Sequence, residues 1–168
     1  MCPYCSTPAG DAPRPPKMLD VSEPATSNLD SSQVHAELTQ PQPRILIVDD
    51  DPVMREMLLG SLSLLETHPE VREAVNGALG LESALEWKPD LVITDVDMPL
   101  MNGFELCKGL RSDVSTAFTP ILMLTVNRDE LNRTKGYMVG TDDYMGKPFS
   151  VPELNLRVSR LLRRTYGY

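Results

Sequence analysis

Cysteine, long apolar runs and positive charge are all scarce in this sequence, and each shortage narrows the class of protein. Three cysteines are too few and too scattered for a disulfide framework, which favours a reducing compartment. No apolar run approaches the roughly 18 residues of a membrane span, and no basic segment followed by an apolar one opens the chain. We therefore expect a cytoplasmic protein that does not enter a membrane.

Acidic residues outnumber basic ones by 24 to 16, which gives a formal net charge of -8. This balance argues against direct nucleic acid binding by this chain, because nucleic acids are held mainly through phosphate contacts to Lys and Arg. It suits a site for a metal ion instead. The length of 168 residues leaves room for one domain of usual size and a tail.

The tail is predicted at residues 1–43, which hold eight of the fifteen prolines, many Ser and Thr residues and few large apolar side chains. Such a segment buries too little surface to offset its ordering entropy, so we expect it to be disordered. Cys2 and Cys5, in Cys-Pro-Tyr-Cys, look like the redox pair of glutaredoxins. That pair normally sits between a strand and a helix, which this segment does not supply, so we interpret them as incidental thiols.

From Arg44 onward, strand and helix patterns alternate. Apolar runs predict strands at residues 45–48, 91–95 and 120–125. Two segments that are more polar, 70–75 before Asn76-Gly77 and 143–145 after Gly140, are also interpreted as strands. Helical spacing predicts a first helix from Pro52 with apolar positions up to Leu65, a third from about Asn102, and others at 78–87, 128–139 and 151–164. Short right-handed crossovers then predict an α/β fold, a five-stranded parallel sheet of order 2-1-3-4-5 with helices on both faces.

Polar side chains follow four of these strands at one edge of the sheet. Asp49 and Asp50 follow the first strand, Asp95 ends the third, Thr125 ends the fourth and Lys147 follows the fifth. Open α/β sheets bind ligands at this edge. Two carboxylates about 5 Å apart repel by roughly 3 kcal/mol at an effective dielectric of 20, so three together require a cation. Oxygen ligands favour a hard ion such as Mg²⁺, which leaves room for a phosphoryl group.

Taken in order, these motifs resemble the receiver domain of two-component response regulators, the CheY-like family. The resemblance covers residues 44–165 and leaves 166–168 as a short C-terminal end. Its elements are the acidic pair after Ile-Leu-Ile-Val, Asp95 in DxxMPxxNG, Thr125 after Ile-Leu-Met-Leu, Tyr144, and Lys147 in Lys-Pro-Phe. Each element alone is a weak signal, but together they are specific.

The resemblance implies that Asp95 takes a phosphoryl group from the phosphohistidine of a partner histidine kinase or phosphotransfer protein, or from a small phosphodonor. The chain would then be a phosphoacceptor that can dephosphorylate itself, and not an enzyme acting on a separate substrate. The metal ligands implied are Asp49, Asp50 and Asp95, with Asp97 contributing its backbone carbonyl to Mg²⁺. Lys147 would pair with the phosphoryl oxygens.

A conformational switch is also implied. Thr125 would move to hydrogen-bond a phosphoryl oxygen and Tyr144 would turn inward, which changes the surface formed by the predicted helix four, strand five and helix five. Gly-Thr-Asp-Asp-Tyr at 140–144 and Arg157 resemble winged-helix transcriptional regulators, whose receivers pair through this surface by Asp–Arg contacts. The pattern therefore predicts a phosphorylation-dependent homodimer, with a solvated charged face as the alternative.

Two other functions remain open on the sequence. Asp95-Val-Asp97 also looks like the DxD motif of haloacid-dehalogenase-type phosphatases, although there the motif follows the first strand, and here Pro99 replaces the expected hydroxyl region. The other is a receiver-like docking module that is not phosphorylated, against which the intact Asp, Thr and Lys set argues. Because the chain ends soon after the last predicted helix, we expect either output through protein binding or a longer parent protein; the downstream effector is unknown.

Overall fold

The computed structural model describes residues 42–126 and 140–166. These residues form one parallel sheet of strand order β2-β1-β3-β4-β5, as predicted. The strands are β1 (Arg44–Val48), β2 (Glu70–Ala74), β3 (Leu91–Asp95), β4 (Ile121–Thr125) and β5 (Asp143–Gly146). The helices among the described residues are α1 (Pro52–Leu62), α2 (Gly77–Trp87), α3 (Gly103–Ser112) and α4 (Val151–Tyr166). The predicted helix at 128–139 and the predicted tail up to residue 41 lie outside the described residues.

The sheet is buried on both faces, which explains why its central strands are continuous apolar runs. Every residue of β3 and β4 is buried. One face packs against α1 and α4, through residues such as Leu58 and Leu154. The other face packs against α2 and α3, through residues such as Ala84 and Leu106. None of the described helices is long and apolar enough to cross a bilayer.

Capping residues begin α1 and α3, the helices that follow the strands leading to the acidic residues. The Asp51 side chain accepts a hydrogen bond from the Val53 amide at 2.9 Å, and Pro52 occupies the first turn of α1. At α3 the Asn102 side chain accepts from the Glu105 amide at 2.9 Å, while Glu105 accepts from the Asn102 amide at 3.0 Å. This reciprocal capping box holds the loop that leads away from β3.

The end of the first helix differs from the prediction. The apolar spacing extends to Leu65, but α1 ends at Leu62. The amides of Leu64 and Leu65 bond to carbonyls three residues back, at Ser61 and Leu62, so the chain tightens into turns there. Leu65 is still buried, because the turn directs it to the same core. The other predicted boundaries that fall within the described residues agree to within two residues, the last helix continuing to 166.

The strand register aligns the carboxyl ends of the three central strands. Val48 pairs with Thr94 across β1 and β3, and Asp95 pairs with Leu124 across β3 and β4. At the next boundary Thr125 pairs with Gly146. The residues that directly follow or end these strands therefore meet at one edge of the sheet.

A close backbone approach fixes the loop behind this edge. The Gly103 amide donates to the Val96 carbonyl at 2.9 Å, so the start of α3 lies against the end of β3. A Cβ atom at Gly103 would overlap the carbonyl oxygen of Asp95. Glycine is required there by space alone, because any side chain would push Asp95 out of position.

Replacement of two glycines tests this constraint. We expect Gly103→Ala to lower the free energy of unfolding by about 1–3 kcal/mol, since the added methyl group meets backbone that cannot move freely. Gly60 in α1 is the matched control, because a Cβ atom added there would have nothing within 4 Å. Gly60→Ala should stabilise by about 0.5–1 kcal/mol. Urea unfolding measures both, and equal effects of the two changes would contradict the packing described.

Candidate functional site

Three carboxylates converge at the carboxyl ends of β1 and β3. One carboxylate oxygen from each of Asp49, Asp50 and Asp95 lies within 4.8 Å of the others. Asp49 is 1% exposed and Asp95 is 8% exposed, whereas Asp50 faces solvent. The structure thus brings together the three acidic residues that the sequence placed at this edge.

Lys147 joins the same group from the end of β5. Its Nζ donates to Asp49 Oδ2 at 2.9 Å and pairs with Asp95 Oδ1 at 2.8 Å. The Lys147 amide donates to the Thr125 carbonyl at 2.6 Å, which ties this loop to the end of β4. One ammonium group therefore bridges two buried carboxylates from different strands.

The backbone around Asp49 is held by groups that include one residue the sequence interpretation missed. The Asp51 amide donates to Asp49 Oδ1 at 2.9 Å. Arg55 donates from Nη1 to the Asp49 carbonyl at 2.8 Å and pairs through Nε with Glu73 at 3.0 Å. A cation near the start of a helix opposes the helix dipole, so the position of Arg55 indicates a nearby acceptor or anion, but it does not indicate which groups Arg55 binds.

Burial and charge act against each other on the two central groups. Burial raises the pKa of the Asp95 carboxyl, the hydrogen bond and charge of Lys147 oppose that rise, and the charge of Asp49 adds to it. Burial alone would lower the pKa of the Lys147 ammonium, but its hydrogen bonds to Asp95 and Asp49 outweigh burial, so the pKa is raised. Lys147 is accordingly charged at neutral pH.

The charge left over matches a divalent cation. When ionised, the three carboxylates carry three negative charges and Lys147 carries one positive charge, so two negative charges remain uncompensated. The ligand atoms available are carboxylate oxygens, which hard ions such as Mg²⁺ prefer to nitrogen or sulfur. With few protein ligands, such an ion keeps coordination positions for water and a phosphate oxygen.

The other predicted site residues lie around this group at different depths. Thr125 is buried at the end of β4. The Asp97 side chain is exposed and does not belong to the three-carboxylate cluster, which is consistent with a contribution through its backbone alone. Tyr144 is half-buried in β5 and packs against the core on the α2 and α3 side, and burial raises the pKa of its hydroxyl. Its side chain is therefore directed toward the interior of the domain.

The acidic and basic residues near β5 and α4 pair within the chain. Asp143 accepts from Arg157 at 2.9 Å and from Arg160 at 2.8 Å. Asp142 pairs with Arg111 at 2.9 Å and with Arg164 at 3.3 Å. The Asp–Arg pattern that predicted a dimer is therefore satisfied inside one chain, with Arg160 and Arg164 more than half exposed.

Comparison with known proteins identifies the family. Residues 45–159 match the family described as response regulator receiver domain. The chain belongs to this family, and it is the receiver domain of a two-component response regulator. The phosphatase alternative is not favoured, because both the family match and the fold point to receivers. Receiver domains are phosphoacceptors that work with histidine kinases.

Individual relatives agree with this assignment. The chain is 42% identical over 123 residues to the DNA-binding dual master transcriptional regulator RpaA of Synechocystis, covering 73% of this chain and 50% of that protein. It matches the chemotaxis response regulator CheY4 of Vibrio cholerae at TM-score 0.65 and 34% identity, over 71% of this chain and 98% of that one. The chain spans about half the length of the curated relatives it matches.

A further structural relative bears on the metal. The receiver domain of the sensor histidine kinase PA1611 from Pseudomonas aeruginosa has a magnesium ion coordinated in its active-site cleft. It matches this chain with TM-score 0.64 and 28% identity, over 75% of this chain and 98% of that one. The acidic cluster described above occurs in a fold whose relatives include a magnesium-bound receiver.

Removal of the Asp95 charge tests the electrostatic description. Because folding raises the pKa of Asp95, its contribution to stability is complete below its unfolded pKa and is lost as pH rises through the folded pKa. Without Mg²⁺ at pH 7, Asp95→Asn should therefore raise the free energy of unfolding by about 1–2 kcal/mol, part of the ~3 kcal/mol repulsion of two close carboxylates.

The gain should shrink as the pH is lowered from 7 toward 4, because protonation of Asp95 removes the same charge that the substitution removes. Asp97→Asn is the matched control, because that side chain is exposed and outside the cluster. Urea unfolding across this pH range gives the comparison. A loss of stability in Asp95→Asn at pH 7, or an equal gain in both variants, would contradict the description.

Proposed function

We propose that Asp95 accepts the phosphoryl group, with Asp49, Asp50 and Asp95 as Mg²⁺ ligands and Lys147 as the phosphoryl partner. The main support is the position of the Lys147 Nζ, which lies 2.8 Å from Asp95 Oδ1 and 2.9 Å from Asp49 Oδ2. Asp50 provides a third carboxylate in the same cluster. An acceptor, a fixed cation and a carboxylate pair for a divalent ion therefore share one pocket. The backbone carbonyl of Asp97 completes the proposed ligand set.

The proposed reaction is a displacement at phosphorus. A carboxylate oxygen of Asp95 forms a bond to phosphorus while the bond from phosphorus to the donor nitrogen, in a phosphohistidine, or oxygen, in a small phosphodonor, breaks. Mg²⁺ bound here supplies neutralisation of charge on the transferring group. Lys147 holds the phosphoryl oxygens in place by charge-assisted hydrogen bonds. Hydrolysis of the acyl phosphate by water returns Asp95, which is the self-dephosphorylation we propose.

The proposed switch uses Thr125 and Tyr144. Thr125 ends β4 one residue after Leu124, the residue paired with Asp95 in the sheet. This position supports a hydrogen bond from its hydroxyl to a phosphoryl oxygen. Tyr144 packs inward from β5, the neighbouring strand. Contacts made only by the phosphorylated state would favour the conformation in which Tyr144 packs inward. The population of conformations of the surface around β5 and α4 would shift accordingly.

The outer side of α1 is the face we propose for a partner kinase. Val53 and Met57 lie four residues apart on one side of α1 and are 71% and 40% exposed. Leu64, in the turn that follows the helix, is 71% exposed. Leu156, on the helix α4 that contacts α1, is a further apolar residue that is 72% exposed. This surface begins directly after the acidic residues that follow β1, so a helix carrying a phosphohistidine could bind there and reach Asp95.

The output of the whole protein is a separate part of the proposal. We infer a cytoplasmic regulator whose phosphorylated receiver pairs with a second copy through β5, α4 and the region predicted as helix four. Exposed Arg160 and Arg164 beside Asp142 and Asp143 support this, because such pairs can exchange between chains. A DNA-binding effector in a longer parent protein is supported by the half-length match to RpaA.

Labelling with acetyl phosphate tests the acceptor. With Mg²⁺ present, wild-type protein should gain one phosphoryl group, and Asp95→Asn should gain none, because its amide is not a nucleophile towards phosphorus. Asp97→Asn, which keeps the backbone carbonyl, is the control and should be labelled. Intact-mass spectrometry at neutral pH measures the gain. Undiminished labelling of Asp95→Asn would exclude Asp95 as the acceptor.

Charge placed on α1 and on the turn that follows it tests the kinase face. Met57→Glu with Leu64→Glu should slow phosphotransfer from a phosphorylated histidine kinase by about tenfold or more, since buried apolar anchors dominate such interfaces. Labelling by acetyl phosphate should not change, because neither residue touches the acidic cluster.

The matched control is Val114→Glu with Phe118→Glu, at two apolar residues exposed in the loop between α3 and β4. It adds the same charge away from α1 and should transfer at the wild-type rate. Equal slowing by both pairs would exclude a specific face on α1.

Sedimentation velocity tests the proposed pairing. Addition of beryllofluoride, which mimics the phosphoryl group on a carboxylate, should convert monomer to dimer. The dimer should weaken as salt is raised, because exposed ion pairs are screened. Arg157→Ala should weaken it as well, since the Asp143 carboxylate then loses one of its aligned partners. A monomer at all concentrations with beryllofluoride bound would exclude pairing.

A further inference from the structure

The strand β2 leaves one edge of the sheet open. Among the described residues it pairs with β1 alone, and it stands at the end of the strand order. Natural proteins usually protect such an edge, because its unpaired backbone groups can accept another strand. The strand is five residues long, enough for a short ladder.

The hydrogen bonds between β1 and β2 determine which backbone groups are open. The Glu70 amide donates to the Pro43 carbonyl at 2.9 Å, and the Ala74 carbonyl accepts from the Asp49 amide at 3.2 Å. In a parallel strand, alternate residues direct both backbone groups to the same side. The groups of Val71 and Glu73 therefore point away from β1, toward the open edge.

A groove of about 340 Å³ lies beside this edge, between the end of β2 and α2. Val75 and Leu79 give it an apolar lining, and both are about half exposed. Glu82 and Glu86 line it from α2, four residues apart on one side of the helix. Neither glutamate has an ion-pair partner within residues 42–126 and 140–166.

The charges nearby do not compensate these two glutamates. Glu73, also in the groove lining, pairs with Arg55 at 3.0 Å. Arg72, the single basic residue of β2, lies over the ring of Trp87 at 4.5 Å from its centre. The groove thus combines open backbone groups, apolar surface and two negative charges that lack a partner among the residues described.

We propose that the edge of β2 binds a partner segment as an added strand, a segment in which basic and apolar residues alternate. An added strand gains affinity from main-chain hydrogen bonds. It gains specificity because every second side chain of the strand faces the groove. Basic side chains on the α2 side would meet Glu82 and Glu86, and their methylene stems would cover Val75 and Leu79. The alternate apolar side chains would lie on the opposite face of the sheet, beside Val71. A second copy of β2 fits poorly, because it would set its own Glu70 and Glu73 against these acidic residues.

The probe for this proposal is a fluorescein-labelled peptide of alternating lysine and valine, with alternating glutamate and valine as the charge control. Fluorescence anisotropy is measured with Mg²⁺ present, so that the strand-end carboxylates are neutralised. We expect the lysine peptide to bind and the glutamate peptide not to bind. Binding of neither peptide, or of both equally, would overturn the proposal.

Two double charge reversals of equal size distinguish binding at the groove from attraction to the net negative charge of the protein. Glu82→Lys with Glu86→Lys should weaken lysine-peptide binding by about tenfold or more, as close opposite charges become like charges. Glu56→Lys with Glu66→Lys changes the net charge equally at exposed positions elsewhere. Equal weakening by both pairs would show attraction to the chain as a whole and overturn the proposal.

The backbone contribution has its own test. Glu73→Pro removes an outward amide but no bond to β1, and Glu73→Ala removes the same side chain while keeping the amide. Binding should weaken about tenfold in the proline variant and little in the alanine variant. Two lysine–valine peptides, N-methylated at the odd or at the even residues, repeat the test on unaltered protein. Only one set of amides faces β2, so one of the two peptides should lose binding and the other should keep it. Insensitivity to both changes would exclude strand addition.

Discussion

The crowding of carboxylates at the carboxyl ends of β1 and β3 is the constraint on which the rest of this structure depends. Asp49 and Asp95 are almost completely buried, so neither can rely on water to stabilise its charge. Lys147 compensates one charge through contacts of 2.8 and 2.9 Å, and Asp50 adds another negative group at the solvent side. The excess negative charge of the pocket therefore favours binding of a cation. Phosphoryl transfer also requires a cation, to neutralise charge on the transferring group.

The rest of the domain provides the stability that offsets the repulsion between these carboxylates. A core on each face of the sheet buries the strands that carry the carboxylates, and capped helices fix the loops after them. Gly103 brings α3 against the end of β3, so that Asp95 has little freedom to move away from Asp49. The two hydrophobic cores stabilise the domain, and the mutually repelling carboxylates are confined to one edge of the sheet.

Much of the fold was predictable because buried parallel strands have an unambiguous pattern. The run Ile45 to Val48 and the run Leu91 to Ile93 are apolar without alternation, and polar residues follow each one at the sheet edge. Strand order then followed from short crossovers. The end of α1 was not predictable, because Leu65 keeps helical spacing while the backbone has already turned.

Contacts between distant residues were the other part that the pattern could not supply. Arg55 reaches the Asp49 carbonyl, and Asp143 pairs with Arg157 inside the chain, because of side-chain directions set by tertiary packing. The inward side chain of Tyr144 belongs to the same class, since a half-buried tyrosine in an edge strand can face either way. The groove beside β2 likewise arises from how α2 lies on the sheet, which no local motif encodes.

Chemical mapping of the phosphoryl group would show which carboxylate accepts it. Protein treated with acetyl phosphate is reduced with borohydride, which converts an aspartyl phosphate to homoserine, and peptides are then sequenced by mass spectrometry. We expect homoserine at position 95 alone, and only when Mg²⁺ was present during labelling. Modification at another position, or at position 95 without any divalent ion, would contradict it.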